Sequence, residues 1–409
     1  SMLEENDDFV IWDEQLYINS VYEPYGYRIN PDLFLVHSQY VMDSSFEKCR
    51  LREEVGEDWN SDDEDEFHSN EEAKRIFYRL FDRSLEEVNE RLCKMAMMVK
   101  GRGRKSGHYR RITAPDNNKA ARSISERILS SSINMRQQGS QATPTAVSIS
   151  EFSSNTLSLM SPWFIEDKDR IALIDYDKNG PCSRLYLVPP GAAFQIADAV
   201  EANALSTMMD RSFDFIVMDP PWVNLSVKRK RTYAMNDDDV LSKLAIPSIL
   251  DTKGILAIWV TNSARVHTLV DRLLKKWKMV RVSVWYWLKT TTSGRPITSF
   301  VPTSSGKQPY EGVVFCVRKN QEKIMEEDGA LPKKDLIIAS IPMCVHSRKP
   351  SLLAIYRSVI PKYMIDRPLE IFARSLMPDC YSIGYEPLLL QCEEMMEKVD
   401  RTTEENICQ

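Results

Sequence analysis

Phe213-Asp214-Phe215-Ile216-Val217-Met218-Asp219-Pro220-Pro221-Trp222 decides how the second half of this chain is read. Its first six residues are mostly apolar and show no helical period, so they predict a buried strand. The tetrad that follows cannot extend that strand, because each proline fixes φ and lacks an N–H. It falls in the loop at the strand's carboxyl end. Working outward, Ile255 to Val260, Val282 to Leu288, Val313 to Val317 and Leu336 to Ala339 give the same strand signal. Between the first two of these, Val266, Leu269, Val270, Leu273, Leu274 and Trp277 form one apolar helical face, and Leu352 to Ile360 continues the alternation. Strands alternating with helices predict an α/β fold with a largely parallel sheet, whose ligand lies outside the carboxyl ends of the strands.

The whole chain has 409 residues, 53 Lys and Arg against 59 Asp and Glu, and 43% hydrophobic residues. This make-up excludes fibres, collagen-like repeats and wholesale disorder, and the length suits two or three domains. The apolar runs are far shorter than the roughly 20 residues of a membrane helix, so no membrane association is expected. The acidic start lacks the features of a secretory signal, and Ser1 before Met2 looks like an expression remnant, so an intracellular protein is expected. Cys49, Cys93, Cys182, Cys316, Cys344, Cys380, Cys392 and Cys408 are dispersed without a CxxC pair. Reduced thiols and no metal site are the expectation.

A net charge of −6 conceals local segregation. Residues 1–130 read as an N-terminal accessory region of mixed α/β character, with a small strand-rich unit to about residue 48. Residues 53–66 hold nine acidic side chains and read as an exposed loop. Helical spacing runs from Glu71 to Lys100, with Gly101 as its expected end. The basic segment 100–111 suits a solvated face, nuclear import or contact with a nucleic-acid backbone. Residues 131–160, rich in Ser, Gln, Thr and Asn, read as a linker, and 161–400 as the catalytic domain.

Asp-Pro-Pro-Trp admits two readings: a rigid turn in which Trp222 packs and Asp219 caps, or a loop for methylating an amine. The second has a definite physics. An exocyclic amine on an aromatic base is a poor nucleophile, because its lone pair is delocalised into the ring. The Asp219 carboxylate and the Pro220 carbonyl can accept its two N–H bonds and turn the lone pair toward an incoming methyl. The prolines are expected to hold that carbonyl free of a local N–H donor, and Trp222 to flank the flat base.

Residues 219–229, from Asp219 to Arg229, resemble the active-site loop of the eukaryotic adenine-N6 methyltransferase family, whose type member is the 70-kDa mRNA methyltransferase subunit. The loop's tail, Asn224 with Ser226-Val227-Lys228-Arg229, is similar to one branch of it in particular. Further resemblances follow in order: Tyr233 to Pro247, Trp259-Val260-Thr261-Asn262, Trp285 to Lys289, Pro309-Tyr310-Glu311-Gly312, His346 to Pro350 and Glu370-Ile371-Phe372-Ala373-Arg374.

The resemblance implies a permuted Rossmann-like fold and S-adenosyl-L-methionine (SAM) as cofactor. By position it implies that Asp219, Pro220, Pro221 and Trp222 hold the target adenine beside the methyl group, with Tyr233 closing over the base. Lys289 would meet the SAM carboxylate, Glu370 and Arg374 the SAM ribose, with Phe372 beneath, and Asp198 the SAM adenine. Gly384-Tyr385-Glu386 stands where relatives carry Gly-Asn and an acidic or amide residue, so Gly384 and Tyr385 would border the cofactor without that amide. Asn224, the tetrad Lys228-Arg229-Lys230-Arg231, and His346 with Lys349 would meet the nucleic acid, although such basic clusters also suit a solvated face. Lys289 as a surface lysine and Glu370 with Arg374 as a structural ion pair are the plainer alternatives.

The implied activity is methyl transfer to the N6 amine of adenine in nucleic acid, in a nuclear and monomeric protein, with the cytoplasm a second location. RNA is favoured, a small nuclear RNA adenosine with or without a 2′-O-methyl. DNA adenine methylation and a catalytically silent RNA-binding subunit are the alternatives.

Overall fold

The computed structural model describes residues 3–6, 8–37, 84–105, 123, 145–147, 157–158, 163–165, 172–175, 185–222, 237–300, 308–345 and 348–399. The apolar runs become strands of one sheet. In chain order these are β1 (Leu3–Asn6), β2 (Phe9–Trp12), β3 (Leu157–Ser158), β4 (Trp163–Ile165), β5 (Ala193–Ile196) and β6 (Phe213–Met218). Then follow β7 (Leu250–Val260), β8 (Met279–Lys289), β9 (Tyr310–Arg318), β10 (Ile337–Ser340), β11 (Pro368–Ile371) and β12 (Tyr381–Gly384). Across the sheet the order is β1-β2-β10-β8-β9-β7-β6-β11-β12-β5-β4-β3. Between β2 and β5 every neighbouring pair is parallel except at β9, which runs antiparallel to both β7 and β8.

This order places a site. From β6 the chain moves to β7 on one side, and from β11 it moves to β12 on the other. The crevice outside the carboxyl ends of β6 and β11 is therefore a topological switch point, where connections part and leave room for a ligand. Met218 pairs with Ile371 there, so Asp219 and Phe372 leave the sheet side by side.

Side chains of β6 alternate between two cores. Phe213, Ile216 and Met218 join the cluster that includes helix α3 (Ala264–Trp277), whereas Phe215 and Val217 join the one that includes helix α4 (Leu352–Val359). Each such large side chain, fully buried, contributes roughly 1.5–3 kcal/mol. The expected apolar face of α3 is the buried one. Among the described residues no helix is long and apolar enough to cross a membrane.

Three features differ from the sequence reading. Residues 3–37, placed in an accessory region, supply β1 and β2, and β2 hydrogen-bonds in parallel to β10 within the main sheet. All four residues of β2 are buried, the pattern of an internal strand, which a four-residue run does not announce. Helix α1 (Glu14–Tyr22) follows, capped by Asp13 accepting from the Leu16 N–H at 2.9 Å.

Helix α2 (Leu85–Lys105) runs through Gly101 instead of ending there. Its start is a capping box: the Glu87 N–H donates to Ser84 Oγ, and the Ser84 N–H to the Glu87 carboxylate. Arg102 stands near the helix's negative end, where a cation is favoured, against the roughly 1 kcal/mol that a mid-helix glycine costs. Within the expected linker, Thr145–Val147 and Leu157–Ser158 are strands. The acidic loop 53–66 lies outside the described residues, as does the basic segment from residue 106 onward.

Gly384, at the end of β12, sits against the turn after β11. A Cβ there would stand 2.9 Å from the Ala373 nitrogen, 3.1 Å from its oxygen and 3.2 Å from the Phe372 carbonyl carbon. These backbone atoms belong to the switch-point turn, so Gly384→Ala is expected to cost roughly 1–3 kcal/mol and to lower the melting temperature measurably. Unchanged thermal unfolding would show that the turn yields freely.

Candidate active site

Asp219 follows a wholly buried strand and is itself 8% exposed. A carboxylate in such a place loses hydration and stays charged only beside cations. Two supply this: Arg374 Nη1 lies 3.0 Å from Asp219 Oδ2, and Lys349 Nζ lies 3.2 Å from the same oxygen. The two cations thus meet on one oxygen of the carboxylate.

The turn beyond is tighter than expected. The Trp222 N–H donates to the Pro220 carbonyl at 2.8 Å, a three-residue turn made around Pro221. The expectation that this carbonyl lacks a local donor is therefore corrected, although its second lone pair remains for an incoming N–H. Trp222 is nearly buried, and its indole N–H donates to the Trp259 carbonyl at 2.9 Å. It anchors the loop to β7 as well as bordering the site.

Around Asp219 the charges alternate. Lys349 Nζ lies 2.9 Å from Glu311 Oε2, and Glu311 in turn pairs with Lys289 at the end of β8. Lys289 also sits over the Trp287 ring at 4.6 Å and Lys349 near the Trp259 ring at 5.8 Å. Burial alone would raise the Glu311 carboxyl, but the charges of Lys289 and Lys349 outweigh it and hold the group far below the usual carboxylate range. Burial would likewise lower the Lys349 ammonium, yet Asp219 and Glu311 keep its pKa raised. Lys349, expected to meet the nucleic acid or to stand on a solvated face, is thus an interior cation of the cleft.

Glu370 pairs across the sheet with Val217 and lines the cleft with Asp219, Trp259, Lys349, Phe372 and Arg374. Burial, reinforced by the Asp219 charge, pushes its carboxyl up to about 7 against opposition from Arg348 and Arg374. Its Oε2 is buried without a hydrogen-bond partner. Arg374 hydrogen-bonds Asp219, so the simple Glu370–Arg374 pair is not what this structure shows. Phe372 has φ of 65°, an unusual backbone for a bulky residue, at the point where the chain turns toward Arg374.

Farther along the rim, Asp198 Oδ1 accepts from the Val200 N–H at 2.9 Å, and Oδ2 from the Tyr385 hydroxyl at 2.7 Å. Asp198 is therefore a helix cap in this structure, and Tyr385 is the second donor to its carboxylate. Gly384 serves close packing. Asn224, Lys228, Arg229, Lys230, Arg231, Tyr233 and His346 lie outside the described residues.

Two groups escaped the sequence reading. Glu311 stood in a quoted motif but had no role, and Glu14 had none at all. Their signal is three-dimensional, since their partners are remote along the chain. The assembled cleft fits SAM: Lys289, Lys349 and Arg374 suit a carboxylate, and the unpartnered Glu370 oxygen suits a hydroxyl or ammonium donor.

A mostly parallel sheet with an Asp-Pro-Pro-Trp turn at its switch point defines a Rossmann-like α/β methyltransferase. The MT-A70 family model matches residues 213–386. A Caenorhabditis elegans protein named "DNA N6-methyl methyltransferase" is 32% identical over 390 residues, 95% of this chain and 97% of that one. The Mus musculus "N(6)-adenine-specific methyltransferase METTL4" is 30% identical over 265 residues, 60% of this chain and 53% of its own. The "N6-methyladenosine RNA methyltransferase MTA1" of Pyricularia oryzae is 33% identical over 216 residues, 50% of this chain and 55% of its own. This chain belongs to the MT-A70 family, and the branch its loop resembles is that of methyltransferase-like protein 4.

The Glu370 environment predicts a pH signature. Between about pH 4.5 and 7 the folded chain keeps a proton that the unfolded chain has released, so this group's stabilising contribution is full below that window and is lost as pH rises through it. Relative to the wild type, Glu370→Gln should therefore gain up to about 3 kcal/mol between pH 4.5 and pH 8. Denaturant unfolding of both proteins at the two pH values measures this, and parallel profiles would place the Glu370 pKa near its ordinary value.

Proposed function

We propose that this chain transfers a methyl group from SAM to the N6 amine of adenine in nucleic acid, with RNA as the favoured substrate. The observation that carries the proposal is the presentation of Asp219 at the switch point with two cations on one of its oxygens, Oδ2. In this reading Oδ1 and the Pro220 carbonyl accept the two N–H bonds of the amine. That draws the nitrogen away from conjugation with the ring and aims its lone pair. SAM, when bound, supplies an electrophilic methyl on a sulfonium. Lys289, Lys349 and Arg374 would hold its carboxylate end, with Glu370 accepting from a hydroxyl or the amino group. The alkylated amine sheds its proton along the bond to Oδ1, so no stronger base is needed. Direct transfer requires the base to be unpaired or flipped from its stack.

The preferred substrate in this proposal is a small nuclear RNA adenosine, including one carrying a 2′-O-methyl, in a monomeric nuclear enzyme. It rests on the likeness of the loop to its branch, with Tyr233 closing over the base and Lys228 to Arg231 meeting phosphates. A second reading, deoxyadenosine in DNA, is favoured by the printed name of the relative that matches 95% of the chain.

Transfer of labelled methyl from SAM to matched single-stranded RNA and DNA oligonucleotides, with nucleoside mass spectrometry, tests both readings. We expect N6-methyladenine with the wild type, more on RNA than on DNA, and a loss of about 10²-fold or more with Asp219→Ala. A reversed order would establish the DNA reading. Absence of product on both, with RNA binding retained, would favour the silent subunit.

A further inference from the structure

We propose that Glu14 is a positioning residue of the catalytic cleft, acting through the segment Arg348-Lys349-Pro350-Ser351. Glu14 stands just past the carboxyl end of β2, at the same rim of the sheet as Asp219, and is 5% exposed. Its Oε2 accepts from the Trp12 indole N–H at 2.7 Å and from the Ser351 N–H at 3.0 Å. Its Oε1 accepts from the Ser351 hydroxyl at 2.8 Å and lies 3.6 Å from Arg348 Nε. A buried carboxylate is tolerated only when so thoroughly partnered, and three of these four contacts are made by one short segment remote in sequence.

The geometry gives that attachment a consequence. Ser351 occupies the N-cap position of α4, but its hydroxyl makes no cap bond to its own helix and donates to Glu14 instead. The Glu14 charge therefore stands at the positive end of α4, where the helix dipole favours it. Lys349 lies between Arg348, whose Nε faces Glu14 at ion-pair distance without a hydrogen bond, and Ser351, which Glu14 holds by two hydrogen bonds. Pro350 links it to Ser351 with a fixed φ. Where Glu14 holds Ser351 therefore limits where the Lys349 ammonium can point, and that ammonium meets Asp219 at 3.2 Å and Glu311 at 2.9 Å. Glu14 lies outside residues 213–386, the stretch the family model matches. The N-terminal segment thus touches, through Glu14, the Arg348–Ser351 segment that lines the cleft.

The test uses the full chain with Glu14→Ala, Glu14→Gln and Ser351→Ala. The first readout is the rate at which an amine-acylating reagent labels Lys349, followed by peptide mass spectrometry. The second is methyl transfer, measured well below each variant's Tm. With Glu14→Ala we expect several-fold faster labelling of Lys349 and a kcat lower by about tenfold or more, with KM for the oligonucleotide nearly unchanged. Glu14→Gln can still bond Trp12 and Ser351 and should restore most of both. Ser351→Ala should fall between, and it decides the matter if Glu14→Ala does not fold. A folded variant that is less stable yet labels Lys349 at the wild-type rate would overturn the proposal and leave Glu14 a purely structural anchor. The kcat readout rests on the methyltransferase reading, whereas the labelling does not. If the wild type transfers no methyl, that reading fails and labelling alone decides the role of Glu14.

Discussion

A carboxylate at the end of a six-residue strand buried on both faces must be kept charged, and much of the cleft follows from how Asp219 meets that demand. Arg374 and Lys349 share one of its oxygens, Lys349 is shared with Glu311, and Glu311 with Lys289. The result is a row of three cations and two carboxylates in which each anion has two positive neighbours. Removing either carboxylate takes a partner from two largely buried cations at once, which costs more than the lost attraction alone. Glu370 beside this row illustrates the limit. Its carboxyl has no hydrogen-bond partner for Oε2, and burial next to Asp219 raises it toward neutrality.

The sheet order explains how groups so far apart in sequence meet. β6 and β11 are adjacent and parallel, and the chain leaves them in opposite directions, so the loops after each are free to open a cleft. β9 enters from the other direction, which brings its first residues, Tyr310 and Glu311, to the rim where its parallel neighbours end. An antiparallel strand within a parallel sheet thus delivers an acid opposite Trp287, within ion-pair reach of the lysine that ends β8. Trp222 fastens the Asp-Pro-Pro-Trp turn to the carbonyl of Trp259 on β7, so the reactive loop inherits the rigidity of two central strands.

What the sequence made legible and what it concealed divide along a physical line. β6, β7, β8, β9, β10 and α3 were readable because each is a local apolar pattern with a definite period, and Asp-Pro-Pro-Trp because prolines cannot continue a strand. β11 and β12 were not. Pro368-Leu369-Glu370-Ile371 and Tyr381-Ser382-Ile383-Gly384 are short and carry polar residues inward, Glu370 among them. The direction of β9 and the partners of Glu311 and Glu14 are properties of pairing between remote segments, on which local patterns are silent. Gly101 shows the converse error: a local breaker outvoted by the charged residues and the packed face of α2 around it. Lys349 was noticed for its charge, but whether a lysine faces water or a buried aspartate depends on what covers it.

The part of the chain ahead of the family match therefore has a definite physical relation to the part within it. β2 covers the side of β10 that would otherwise be an open sheet edge near the Lys289 end of the charge row, and open edges are sites of mispairing. Glu14 follows from that pairing, since it lies only two residues beyond Trp12, and without it Arg348 would be a buried cation 8% exposed at its side chain and lacking its carboxylate. Edge protection and electrostatic compensation both converge on one four-residue strand. A fragment beginning at β6 would retain Asp219 and both its cations, but not the Glu14 carboxylate that holds Ser351, two residues from one of those cations. The sheet consequently extends to its first strands, and the boundary of the sequence match is not the boundary of the contacts that support the cleft.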